Sequence, residues 1–309
     1  MFMADMLFSA IQQRYIFFCN WQKICTFANQ KHAPATIVFA HLVMQNPLIT
    51  LTTDWGYNDF FSGMVKGRLY SSIPNVQVVD ITHGLEPFQL ARAIFAVRHA
   101  CMGFPSGTIH IIDATAAHDD TAPYILVEYL QQYYICADNG LPSAVFSDHP
   151  FRAVAIGVVE YNHDDFRTFA AYHIYCPVAT QLALGASLSD IGAPIEAFCP
   201  YMPIHYIQTS NLLKLYIAYI DSYGNAILNI SHQEFENIRA ERKFEMQVHE
   251  VSLSQVDRAY SAASSAGRGR AALLLTVSAT GYLQIAMRQY SAEQYFGLRM
   301  HESITVRFF

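Results

Sequence analysis

Charge is scarce in this chain. Only 14% of its 309 residues are charged, and 25 acids against 19 bases leave a formal net charge of −6. A nucleic-acid partner requires a basic face, and no Lys/Arg cluster supplies one; Arg268 and Arg270 are a pair, not a patch. Apolar runs of the roughly 20 residues that cross a bilayer are also missing, so neither nucleic acid nor membrane is expected as a partner. The six cysteines (Cys19, Cys25, Cys101, Cys136, Cys176, Cys199) form no CxxC pair. They therefore read as reduced thiols of a cytoplasmic protein rather than a zinc site. No Gly-x-Gly-x-x-Gly follows the first apolar run, and no Walker-type loop or Gly-x-Ser-x-Gly elbow occurs, which removes the usual support for dinucleotide binding, triphosphate binding and serine hydrolysis. Thirteen histidines are scattered with no HExxH or His-x-x-x-His spacing, and no metal is expected.

What the chain has is apolar bulk. Hydrophobic residues make up 52% of it, enough to bury a sizeable core. Residues 1–46 hold aromatics, cysteines and an apolar stretch (Thr36–Met44) without helical or strand periodicity. They lack the basic start, apolar run and small-residue cleavage site of a signal peptide. The segment reads as an N-terminal extension upstream of a natural start at Met44, or else as an N-terminal arm.

From Leu48 onward, short apolar runs alternate with helical stretches. Strands are expected at Leu48–Thr52, Val76–Val79, Thr108–Ile112, Tyr124–Leu130, Tyr133–Ala137 and Val154–Glu160. Helices are expected at Phe60–Ser72 and from Pro87, in the first turn, to Met102. Strands separated by helices imply an α/β domain over 47–200, a mostly parallel sheet with helices on both faces. Ligands of such sheets sit beyond the carboxyl ends of the strands, where Asp54, Asp80, His83 and Asp113 fall. After Pro200 the pattern changes to strands at Leu212–Ile220, Phe244–Val251, Ala271–Val277 and Tyr282–Ala286, with a short helix near His232–Ile238. That describes a small antiparallel, β-barrel-like domain over 201–309.

On spacing alone Asp54 has two readings of equal weight: a carboxylate that forks two ribose hydroxyls, or an Asp that stabilises a loop. Asn225 likewise is either a ligand-reading amide or part of a Ser-Tyr-Gly-Asn turn. Six segments bear on the choice: LITLTTDWGYND (48–59), VVDITHGLEPF (78–88), FPSGTIHIID (104–113), ADNGL (137–141), YIDSYGNAILNI (219–230) and GYLQIA (281–286). In this order and spacing they resemble the S-adenosylmethionine (SAM) hydroxide adenosyltransferase family, which is similar to the SAM-dependent chlorinases and fluorinases.

The resemblance implies SAM or adenosine as ligand, with SAM as substrate and no cofactor, in a homotrimer whose site lies at the subunit interface. Asp54 matches the aspartate on the ribose hydroxyls, Phe88 an aromatic pocket wall, and Thr168 and Phe169 the segment beside the reacting carbon. Asp221 matches a carboxylate near the methionine ammonium, Tyr223 an aromatic of the pocket, Asn225 the amide on the adenine edge, and Tyr260 the aromatic over the adenine. Ala279 and Thr280 match a turn whose backbone meets the methionine carboxylate. The hydroxide machinery is incomplete. Asp113 matches the family's catalytic Asp, but Asp120 stands where the Arg is expected and Ala170 where the His is. Ala116 and Ala171 replace the hydroxyl groups that meet a halide. The expectation is slow cleavage of SAM with water to adenosine and L-methionine, with Asp113 and His118 (or His173) orienting the water. The alternatives are a catalytically silent SAM or adenosine binder, and adenosyl transfer to another nucleophile.

Overall fold

The β-branched run that opens at Leu48 forms a strand paired on both sides in a seven-stranded sheet. The computed structural model describes residues 46–114, 123–157, 168–261 and 272–309, all within one unit spanning residues 42–309. The sheet is built from β1 (Leu48–Thr53), β2 (Gln77–Thr82), β3 (Ile109–Asp113), β4 (Tyr124–Tyr129), β5 (Gln132–Ala137), β6 (Phe151–Ile156) and β7 (Gly192–Pro194), in the order β2-β1-β3-β5-β4-β6-β7. The pairs among β2, β1, β3 and β5 are parallel, whereas β4, β6 and β7 add antiparallel pairs. The parallel half follows the expected strand–helix alternation. The antiparallel half departs from it because Leu130 and Gln131, both at positive φ, make a two-residue connection from β4 to β5. A connection that short joins strands only as a hairpin.

Helices cover both faces of this sheet. On one face lie α1 (Phe61–Ser72), a π-helical turn (Ala171–Tyr175) and α4 (Cys176–Ala183), which bury Val65, Leu69, Val178 and Leu182 against Ile49, Leu51, Ile109 and Ile111. On the other lie α2 (Leu90–Ala100) and α3 (Leu141–Val145), which pack Ile94, Val97 and Leu141 on Ile112, Ile125 and Tyr134. A four-residue helix α5 (Leu188–Ile191) leads into β7. The helix expected from Pro87 begins instead at Leu90. Phe88 has φ +65°, a left-handed conformation that a right-handed helix cannot contain.

The second sheet comprises β8 (Ile207–Gln208), β9 (Leu212–Ile220), β10 (Ala226–Ser231), β11 (Phe244–Val248), β12 (Val251–Leu253), β13 (Leu273–Val277), β14 (Tyr282–Met287) and β15 (Ser303–Phe308). Its order is β12-β11-β15-β9-β10-β14-β13, with β8 on β9. All its named pairs are antiparallel, and a bridge from Val256 to Leu275 of β13 nearly closes it into a barrel. Alternate residues of β9 (Leu213, Leu215, Ile217) fill the interior, as closure requires. The strand expected over Phe244–Val251 is broken at His249, whose φ of +51° turns β11 into β12. Helix α6 (His232–Arg239) is fixed by a Ser231/Glu234 capping box, and a short α7 (Ala292–Phe296) precedes β15. The two sheets meet where Phe95 of α2 stacks on Tyr219 of β9, with centroids 4.5 Å apart. No helix among the described residues is long and apolar enough to cross a membrane.

Candidate functional site

Parallel strands bring their carboxyl ends to one edge. Register pairs Thr53 of β1 with Asp113 of β3 and Thr52 with Thr82 of β2. Beyond those ends, Asp54 N donates to Asp113 O (3.4 Å) and Gly56 N to His83 O (2.7 Å). Asp54, Trp55, His83 and Asp113 are therefore clustered by the sheet itself. The Trp55 indole Nε1 donates to Asp113 Oδ2 at 2.9 Å. Its ring stacks on His83 (5.7 Å, 15°) and meets the edge of Phe169 (5.1 Å, 72°). His83 is held by a 2.7 Å hydrogen bond between its Nδ1 and Thr53 Oγ1. Its Nε2 lies 3.2 Å from Asp80 Oδ1, at ion-pair range although not aligned as a hydrogen bond. Lys66 Nζ closes the chain on Asp80 at 2.6 Å.

Asp113 is only 6% exposed. Burial pushes its carboxyl from the ordinary 3.8 up to about 7; the Trp55 hydrogen bond opposes the rise and the charge of Asp54 adds to it. A carboxyl so placed is poised to take a proton near neutral pH, as a general base requires. Tyr175, from the π-helical turn, is fully buried, feels the charge of Asp113, and keeps a hydroxyl without a hydrogen-bond partner among the described residues. Insertions of this kind in helices recur at functional sites. Arg68 anchors the same turn, bonding to Tyr172 O at 2.7 Å and lying over the Tyr172 ring at 4.5 Å.

A second constellation sits at one end of the second sheet. A cavity of about 580 Å³ is lined by Tyr223, Asn225, Tyr260, Met287, Arg288, Gln289, Tyr290 and Ser291. The β9–β10 turn supplies Tyr223 and Asn225. Asp221 ties it: Oδ1 accepts from Tyr223 N and Asn225 N (both 2.9 Å), and Oδ2 accepts from Asn225 Nδ2 (2.8 Å). Gly224 is obligatory here. Its φ is +76°, and a Cβ would come within 2.0 Å of Ser291 Oγ. Tyr260 is held as a wall by Gln284, whose Nε2 donates to its hydroxyl at 2.6 Å.

Of the residues singled out in the sequence, the structure clusters Asp54, Asp113 and Phe169 at the first sheet, and Asp221, Tyr223, Asn225 and Tyr260 at the second. Thr168 precedes Phe169 on the surface, and Phe88 lies in the turn before α2 with 91% of its surface exposed. Ala279 and Thr280 form the β13–β14 hairpin, where Ser278 Oγ and Thr280 Oγ1 lie 2.7 Å apart. That hairpin is at the opposite end of β14 from Met287, roughly 20 Å along the strand at the usual rise. His118, Ala116 and Asp120 lie outside the described residues. His173 is half-buried in the π-helical turn. Sequence reasoning did not single out Trp55 or the Arg288–Ser291 wall. Trp55 lies in the segment LITLTTDWGYND (48–59), next to Asp54, but its partner Asp113 is 58 positions away. The wall gave no signal, since it is an exposed strand end.

The chain resembles known proteins over both sheets. The N-terminal domain model of the SAM hydroxide adenosyltransferases matches residues 49–192, and the C-terminal domain model matches residues 215–305. The chain belongs to the SAM hydroxide adenosyltransferase family. One relative in this family, an (R)-S-adenosyl-L-methionine hydrolase of Salinispora tropica, is 27% identical over 262 residues, covering 77% of this chain and 97% of that protein. Another, the (R)-S-adenosyl-L-methionine hydrolase of Methanocaldococcus jannaschii, is 25% identical over 193 residues, or 60% of this chain and 68% of that one. Among solved structures, an uncharacterized conserved protein from Thermotoga maritima superposes with a TM-score of 0.73 at 22% identity, covering 84% of this chain and 99% of its own. The two chains share one fold. Within this fold Ala170, where the resemblance expects a histidine, is 2% exposed and packed in the core at the start of the π-helical turn.

Proposed function

We propose that this chain cleaves SAM with water to adenosine and L-methionine. The observation that carries the reading is Asp113: a buried carboxyl at a strand end, raised to about 7, oriented by Trp55 and adjacent to Asp54. The relatives named as SAM hydrolases support the same reaction.

The sulfonium of SAM makes the ribose C5′ electrophilic and its leaving group a neutral thioether, so no general acid is needed. What a protein contributes is alignment and exclusion of bulk water. Water attacks C5′ in line; the new O–C5′ bond forms as the C5′–S bond breaks, and sulfur keeps the electron pair. One water proton passes to Asp113 Oδ1 and the other remains on the adenosine 5′-hydroxyl. In this reading Asp54 accepts the ribose hydroxyls, Phe88 lines the pocket, and Thr168 and Phe169 border the reacting carbon. Asn225, its Nδ2 given to Asp221, turns Oδ1 toward the adenine edge, with Tyr223 and Tyr260 on the ring faces. Asp221 already accepts three hydrogen bonds, and a carboxylate has room for about four, which leaves one for the methionine ammonium. The resemblance gives the water to His118; Ala279 and Thr280, on the hairpin at the far end of β14 from Asp221, do not meet the methionine carboxylate in the same pocket.

We further infer a homotrimer with the site between subunits. Phe88 is 91% exposed and Tyr223 81% exposed, large aromatics that a pocket-forming contact would cover. The free thiols Cys101, Cys136, Cys176 and Cys199 suit the reducing cytoplasm, where we place the reaction. The test is adenosine release from SAM, followed by chromatography, for wild type, Asp113→Ala and Asp54→Ala. Release above a SAM-only blank that falls about 100-fold or more in Asp113→Ala is expected for loss of a general base. SAM binding without release would establish a silent binding protein instead.

A further inference from the structure

Trp55 is fixed on three sides before any ligand arrives. His83 stacks under its ring, Phe169 closes its edge, and its single N–H is given to Asp113 Oδ2 at 2.9 Å. The His83 platform is itself held by Thr53 and the Asp80–Lys66 pair. An indole has one donor, no acceptor and no charge. It can therefore fix the direction of a carboxyl without forcing it to remain ionised, which a guanidinium would do.

Among the described residues, the titratable groups coupled to Asp113 are Asp54 from the end of β1, and Tyr175 and Cys176 from the helical stretch packed on β3, with His83 on the far side of the Trp55 ring. Asp54, Tyr175 and Cys176 carry no positive charge, and the Trp55 indole N–H donates a hydrogen bond to the carboxyl.

We propose that Trp55 is the positioning residue of Asp113, holding Oδ2 so that Oδ1 is the oxygen that meets the attacking water. The chemical consequence rests on the SAM-cleaving reading, but the pairing itself is readable without substrate. Burial has already raised this carboxyl to about 7. Removing the indole donor removes the contribution that favours the ionised form, so the carboxyl rises further and a larger share of it is protonated at neutral pH.

The chain has two tryptophans, Trp21 and Trp55, so ¹⁵N-labelled protein gives two indole signals, and Trp55→Phe identifies which belongs to residue 55. Over about pH 5 to pH 9, a window that brackets the raised carboxyl, the Trp55 signal should titrate in wild type and stay flat in Asp113→Asn. A signal indifferent to pH in both proteins, or titrating equally in both, overturns the pairing. In steady-state cleavage of SAM, Trp55→Phe keeps an aromatic ring against His83 and Phe169. It should lower kcat about tenfold or more with KM nearly unchanged, and move the acidic limb of the kcat profile to higher pH. Wild-type kcat and profile in Trp55→Phe overturn the positioning role. Absence of cleavage in wild type itself would count against the hydrolase reading alone, because the indole titration still decides whether Trp55 governs the Asp113 carboxyl.

Discussion

Asp221 holds Asn225 by both its backbone and its side chain: Oδ1 accepts from the Asn225 amide nitrogen at 2.9 Å, and Oδ2 from Nδ2 at 2.8 Å. The same two bonds close the β9–β10 turn and aim a side-chain amide into the 580 Å³ cavity. The turn formed by Ser-Tyr-Gly-Asn is therefore compatible with an amide that meets a ligand. A pre-set amide loses little freedom on binding, which favours affinity.

Asn225→Ala should weaken adenosine binding by about 1–3 kcal/mol, the usual cost of leaving a buried polar partner unsatisfied. Calorimetry with adenosine against wild type reads it. Unchanged affinity in a folded variant would remove the amide from the nucleoside site.

Asp113→Asn should stabilise the fold at alkaline pH. The folded carboxyl titrates near 7 and the unfolded one near 3.8, so the folded state holds the proton between those values. The stability this group contributes is full below about pH 4 and is lost as pH rises through about 7. An asparagine cannot ionise, so the variant should gain on wild type by on the order of a few kcal/mol at about pH 8, and by far less at about pH 4. Burial also lowers His110 to about 4, which costs stability as pH falls below the ordinary histidine value. That contribution is common to both proteins, so the difference between their urea midpoints carries the test. A variant less stable than wild type at alkaline pH would contradict a buried, costly carboxylate.

Ala170→His should not restore a catalytic histidine. Ala170 is 2% exposed inside the α1–α4 core, and overpacking such a site costs about 1–3 kcal/mol. A lower melting temperature with no gain in adenosine release is expected; a faster and equally stable variant would show that the turn has room.

Light scattering at micromolar concentration should give three times the mass of the 34.8 kDa chain, and replacing the exposed Phe88 by Ser should shift it toward smaller species. A monomer that still binds SAM would exclude a shared site.

Most strands were legible because each is a short β-branched run. β1, β3 and β9 begin and end within a residue of where their apolar residues do. β7, β8, β10, β12 and β15 were not: β7, β8 and β12 are only two or three residues long, β10 lay in a segment read as a turn motif, and β15 is a six-residue run late in the chain. The π-helical turn leaves no mark in composition, since its extra residue is a matter of backbone hydrogen bonding. The strand-end positions of Asp54, His83 and Asp113 were readable, because parallel register places such ends together, whereas Asp80 falls inside β2, which runs on to Thr82. The Trp55–Asp113 bond links residues 58 positions apart, and only the pairing of β1 with β3 brings them into contact.

If water is the nucleophile at C5′ of SAM, its oxygen ends in the adenosine, and oxygen-18 follows it. With SAM turned over in ¹⁸O-labelled water, mass spectrometry should find one heavy oxygen in the adenosine, at the 5′-hydroxyl, and none in the methionine. Adenosine formed without the label, or no adenosine from a protein that binds SAM, would contradict the account.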